Sequence, residues 1–212
     1  MTLKLSPPEV LAVAAHHHTL WPAAVVGVDY SNKDLLQELV HEGSRSLVDR
    51  KVFTVKNGRL AVESRFSGIL ATVLSSKPVS AFVGTSSNVA EVVGGAIYVY
   101  PGDEHCVAEV VRATGQRELL VLSRPAAIAL IQTFVESVYQ SPAIDAHQSE
   151  IVLYVGAPVG PNLPLTVVRP GRLSHGHAPV AYGPMLEGAD SEYWDTAWIH
   201  CLFSDTSPSQ AR

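Results

Sequence analysis

Four β-rich runs follow one another between Pro78 and Ser123 with no room for a crossover between them. They are "PVSAFVGT", "VVGGAIYVY", "CVAEVVRATG" and "RELLVLS". Parallel neighbours need a connection of a dozen or more residues, usually a helix, whereas antiparallel neighbours join through short turns. This part of the chain therefore predicts an antiparallel meander. Alternation is clearest in Ala96-Ile97-Tyr98-Val99-Tyr100 and from Cys106 to Val110.

Helical patterns flank the meander. "SPPEVLAVAAHH" begins with Ser6 as N-cap and prolines in the first turn, followed by Glu9 near the positive end of the dipole. Trp21-Pro22 closes that segment, because a residue before proline is pushed out of the α region, and "AAVVGVDY" then reads as a short buried strand. "SNKDLLQELVHEGSRSLVDR" places Leu35, Leu36, Leu39, Val40, Leu47 and Val48 at helical spacing, with Gly43 as its weak point. In "VKNGRLAV", Asn57-Gly58 between β-type residues marks a hairpin turn. "ESRFSGILATVLSS" repeats the helical period, and "RPAAIALIQTFVESVY" opens on proline with Ile128, Ile131, Phe134, Val135 and Val138 along one face. "EIVLYVGAPV" and "LPLTVVRP" are strand-like, and "SDTSPSQAR" is a polar tail expected to fray. The fold class expected is α+β, with a central, mainly antiparallel sheet and helices packed on one face.

Composition narrows the function. The chain has 212 residues, 47% apolar and 17% charged, enough to bury roughly 70% of its unfolded surface without staples. A net charge of −5, with the fifteen Lys and Arg scattered, argues against nucleic acid as a partner. Arg45, Arg50 and Lys51 are the densest basic group and read as a solvated helix edge. No uninterrupted apolar run reaches membrane-spanning length, and the N-terminus lacks the unbroken apolar core of a signal peptide. Cys106 and Cys201 are far apart in sequence and nothing demands that they pair. The expectation is a soluble cytoplasmic protein with reduced thiols.

His16-His17-His18 point about 100° apart on a helix and cannot jointly hold one ion, so they read as a solvated helix end. Glu104-His105-Cys106 follows "YPG"; Pro at the second and Gly at the third position suit a type II turn, leaving turn-tip charges and a Cys that starts the returning strand. His175, His177 and His200, with Asp190 and Asp195 nearby, are the best metal candidates and define an alternative, a small metal-dependent hydrolase. "VGTSSN" lacks the closing glycine of a nucleophile elbow, and no Gly-Lys-Ser/Thr phosphate loop occurs.

The order of elements from Leu5 to Tyr139 resembles the EspG family, the cytoplasmic chaperones of actinobacterial type VII (ESX) secretion. The resemblance rests on "WPAAVVGVDY", "DLLQELVHEGSRSLVDRKVF", "NGRLAVESRFSGILATVLSSKPVSAFVG" and the meander that follows. Leu47-Val48-Asp49-Arg50-Lys51-Val52 matches a "Leu-x-x-Arg-Gly-Val" type segment, with Lys51 where Gly is usual. Family members are longer, with a second, quasi-repeated half; only about seventy residues follow Tyr139 here.

The resemblance implies a non-catalytic adaptor with no cofactor, which binds the helical tips of PE/PPE-type or WXG-type secreted proteins through an exposed sheet face. It also suggests three regions: residues 1–145 as the EspG-like core, 146–203 as strands and loop completing the domain, and 204–212 as a tail. Alternation puts Tyr98 and Tyr100 on one side of their strand, and these are the candidate partner-binding residues, since tyrosine joins apolar area to a hydroxyl. A homodimer is compatible with the shortened second half. A homo-oligomeric structural or immunity protein, its sheet face covered by its own copy, is the further alternative.

Overall fold

The computed structural model describes residues 1–23, 25, 28–76, 78–85, 92–112, 114–139, 151–156, 162–169, 172–179 and 191–192. In chain order the elements are β1 (Thr2–Leu5), α1 (Pro7–His16), α2 (Lys33–Asp49), β2 (Phe53–Lys56), β3 (Arg59–Val62), α3 (Ser64–Ser75) and β4 (Val79–Thr85). Then come β5 (Val92–Pro101), β6 (Cys106–Val111), β7 (Arg117–Leu122), α4 (Arg124–Tyr139), β8 (Ile151–Gly156), β9 (Asn162–Arg169), β10 (Arg172–Pro179) and β11 (Ser191–Glu192). The class is α+β.

The main sheet runs β1-β7-β6-β5-β4-β8-β9-β10-β11, antiparallel throughout. Two meanders therefore meet back to back, β4 to β7 on one side and β8 to β11 on the other, joined where Phe82 stands opposite Tyr154. The Asn57-Gly58 hairpin forms a separate two-stranded sheet. Asn57 and Gly58 both take positive φ, +53° and +72°, as a tight hairpin turn with strand twist requires.

Helices lie on both faces of the meander, an addition to the one-sided packing expected from sequence. One core gathers Leu3, Leu5, Val10, Val13, Leu47, Phe66, Leu70 and Val73 from β1 and the first three helices against Ala96, Tyr98 and Tyr100. The other sets Ala127, Ile128 and Ile131 of α4 against Val79, Ile97, Val99, Cys106 and Ala108. The odd and even residues of β5 thus face different helices, and both sides of the strand are dry.

Two local expectations are corrected. The described residues of "AAVVGVDY" join no ladder; Ala23 and Val25 are buried as part of the α1–α2 connection. The place beside β7 is filled by Thr2–Leu5, whose alternate residues Leu3 and Leu5 are buried. The turn after β5 lies further along than "YPG" suggests. Pro101 still pairs with Cys106, and the Gly102 N–H donates to the His105 carbonyl at 3.0 Å. A Cβ on Gly102 would come within 2.6 Å of that carbonyl oxygen, so the loop needs glycine there.

Candidate interaction surface

The face that sequence alternation marked for a partner lies inside the molecule. Tyr100 is 0% and Tyr98 9% exposed, both beneath the first three helices. This corrects the expected sheet-face docking site: the apolar stripe at Tyr98 and Tyr100 is already buried by the chain's own helices.

What those tyrosines meet is a buried polar network. The Glu109 carboxylate on β6 accepts from the Tyr100 hydroxyl at 2.5 Å and from the Trp21 indole N–H at 2.9 Å, and pairs with the Arg117 guanidinium on β7. Glu109 is 0% and Arg117 1% exposed. Burial, with the Glu109 charge beside it, pushes the Tyr98 hydroxyl up to about 12. Burial and the same carboxylate push Tyr100 up as well. Both phenols therefore stay protonated, and Tyr100 serves as a donor. The network ties three adjacent strands to the α1–α2 connection. A one-residue slip would swing its members to the other face of the sheet, so it fixes strand register.

A second carboxylate, Glu9 in the first turn of α1, accepts from the Ser6 N–H (2.8 Å), the Ser46 hydroxyl (2.7 Å) and Arg50 (2.6 and 2.7 Å). Arg50 also donates to the Lys4 carbonyl on β1 at 2.7 Å. Burial alone would raise the Glu9 pKa; the Ser6 amide, Ser46 and Arg50 outweigh it and hold the carboxyl below its ordinary value.

The other residues singled out from sequence are dispersed. Asp103, Glu104 and His105 are exposed at the β5–β6 tip, whereas Cys106 is buried against α4, and burial pushes its thiol up. No common site joins them. His16 is the last residue of α1, its ring 5.0 Å from Phe53 at the base of the hairpin; burial, then His17 and His18, hold its pKa below the usual value. The helix end is therefore packed as well as solvated. His175 and His177 occupy alternate positions of β10, opposite Thr166 and Pro164. His200, Cys201, Asp190 and Asp195 lie outside the described residues. Among the described residues no three His, Cys, Asp or Glu side chains gather as a metal site would need.

The exposed large apolar side chains lie elsewhere. Among the described residues they are Met1, Leu20 (76%), Tyr30 (50%), Leu35 (38%) and Val55 (62%). Three of the five fall between residues 20 and 35, on the α1–α2 connection and the first turn of α2. Leu20 is adjacent to Trp21, which is 7% exposed and anchored on Glu109, so the connection carries one side chain into the core and holds the next in water. From sequence this segment reads as a buried strand followed by a helix whose apolar stripe includes Leu35, which gives no sign that these side chains stand in water.

No protein-family model matches the chain, and no match is found among curated proteins. Among solved structures the chain is similar to the Mycobacterium tuberculosis type VII secretion system chaperone EspG5 in complex with a PE25–PPE41 dimer. The TM-score is 0.48 at 9% identity, over 85% of this chain and 84% of that one. The likeness is one of chain path, and the functional reading below rests on this chain's own sequence and surface.

Proposed function

We propose that the chain is a non-catalytic adaptor of the EspG type, which shields the apolar tip of a helical PE/PPE-type secretion partner in the cytoplasm without a cofactor. The sequence resemblance supplies the partner class. The observation that carries the reading is that Leu20, Tyr30 and Leu35, three of the five exposed large apolar side chains among the described residues, fall within one short stretch of sequence, since large apolar side chains left in water mark interaction sites when they collect. Burying side chains of this size under a partner contributes about 1.5–3 kcal/mol each before ordering costs.

The test is co-expression with the helical pairs encoded beside the gene, followed by size-exclusion chromatography. Co-elution is expected, with loss on Leu20→Asp plus Tyr30→Asp and retention on Tyr98→Phe. Failure of every such pair to co-elute with the wild-type chain overturns the adaptor reading. Co-elution that survives the double aspartate variant moves the docking surface elsewhere.

A further inference from the structure

The second half of α2 and the hairpin after it carry a charge pattern at odds with the chain as a whole. Between Arg45 and Arg65 there are six basic residues and two acidic ones, in a protein whose net charge is −5. Between Asp29 and Glu42 the balance reverses, with four acidic residues and one basic. Each cluster sets like charges side by side. Asp34, Glu38 and Glu42 recur every four residues of α2 and are all exposed, so they form one acidic stripe whose members repel along the helix. Lys56 and Arg59 are directly paired across the hairpin, where like charges also repel, and Lys51 stands at its base. None of these six side chains has an ion pair among the described residues. Beside the charges are the exposed apolar groups, Leu35 at the acidic end and Val55 at the basic end.

The two ends complement each other in charge. Helix α2 is 17 residues and roughly 25 Å long at 1.5 Å per residue, with the acidic stripe toward its start and the hairpin following its end in the chain. Its inner face is taken: Gly43 and Leu47 are buried, and α1 packs there. The outward face is free among the described residues. We propose that this face is a self-complementary surface for a second copy of the chain, the two α2 helices lying antiparallel about a two-fold axis near Glu42 and Arg45. Each acidic stripe then faces the partner's Lys51, Lys56 and Arg59, and Leu35 approaches the partner's hairpin. A two-fold interface uses the same patch twice, so the acidic stripe and the basic residues of the hairpin gain partners in both copies at once, while Asp49, exposed on the same helix face, comes near the partner's Glu38. This inference requires no client, and it places in the interface between copies Leu35, which the adaptor reading also uses.

The experiment is mass determination by light scattering on the full chain. At low ionic strength twice the 22.7 kDa of one copy is expected, shifting to one copy at high salt, which screens exposed pairs. Lys56→Glu with Arg59→Glu, and separately Glu38→Lys with Glu42→Lys, should each yield single copies with an unchanged far-ultraviolet spectrum. Mixing the two variants should restore the doubled mass, because each supplies what the other lacks. Where a double variant fails to fold, Lys56→Glu and Glu38→Lys give the same paired readout. A wild-type chain that stays single at low salt, variants that still self-associate, or a mixture that does not pair each overturns the proposal. So does a wild-type chain that stays single and instead retains an acidic partner through its hairpin.

Discussion

Two carboxylates, Glu109 and Glu9, are each buried and each held by an arginine, yet their arginines stand in different surroundings. Arg117 is 1% exposed at the start of β7, between β1 and β6, whereas the Arg50 side chain is 42% exposed where α2 ends. In the first pair both charges have left water, so neither can fall back on solvent when the other is removed. In the second, water remains beside the cation and screens the pair. The two sites therefore differ in what breaking them costs, although their hydrogen-bond inventories look alike.

The largest effect is expected from Arg117→Met, which leaves Glu109 as a buried charge without its cation. Breaking such a pair from one side costs about 3–5 kcal/mol. Chemical denaturation should show a loss of that order, or no folded protein. The companion variant Arg117→Met with Glu109→Gln removes both charges and keeps an acceptor for the Tyr100 hydroxyl and the Trp21 N–H, so it should recover much of the loss. A single variant that unfolds no more readily than wild type would refute the account of this network.

Gly43→Ala comes next, and its sign is the informative part. In an open helix this change stabilises by about 1 kcal/mol. Here an added Cβ would sit 2.7 Å from the Glu9 backbone nitrogen and overlap the Pro8 carbonyl, so α1 must move away. A loss of about 1–3 kcal/mol is expected, as for other overpacked contacts. The shift should also loosen the Glu9 cluster, which spans the same helix crossing. A gain in stability would show that the two helices are not in close contact at this point.

Much of the fold could be read from sequence because it is set locally. The Asn57-Gly58 hairpin, the four meander strands and α3 each carry their own turn or periodicity. The site could not, and the reason is visible in β5 and β6. "AIYVY" and "CVAEVV" are nearly continuous apolar runs, and a strand that is apolar on both sides is covered on both sides. Alternation was read there, and it sorted Tyr98 and Tyr100 onto a face without revealing that the face was covered. The apolar stripe of α4, immediately after β7, was the signal that the second face would be buried. Glu109, a lone charge among valines, was the signal of a buried partner, but Arg117 lies on another strand and no local spacing links them. β1 was missed because Ser6-Pro7-Pro8 drew the reading toward the helix that follows.

Arg50→Met should cost less than loss of Arg117, about 1–2 kcal/mol, since the pair is half in water and Ser6 and Ser46 still hold the carboxylate. It should also change the acid limb of stability. The folded Glu9 pKa lies below its unfolded value of about 4.3. Its contribution is therefore complete above that value and is lost as pH falls through the lower, folded pKa. Wild type and Arg50→Met should differ most near neutrality and converge in acid. Denaturation curves that stay parallel from neutral to acid pH would break the comparison between the two carboxylates.

Lys51→Gly is expected to have the smallest effect, and in the stabilising direction. Lys51 has φ +58°, just past the end of α2; its N–H donates to the Val48 carbonyl at 3.0 Å and that of Val52 to the Leu47 carbonyl at 2.8 Å. This is the left-handed helix stop that favours glycine. A lysine there bears the steric cost of a Cβ, offset in part by a cation near the negative end of the helix. Glycine should raise stability by about 0.5 kcal/mol, whereas alanine keeps the Cβ, loses the charge and should gain nothing. The pair of variants separates backbone strain from electrostatics. If both lower stability equally, the lysine charge outweighs the strained backbone at this helix end, and the unpaired basic cluster starts at a position that holds its cation at a net gain.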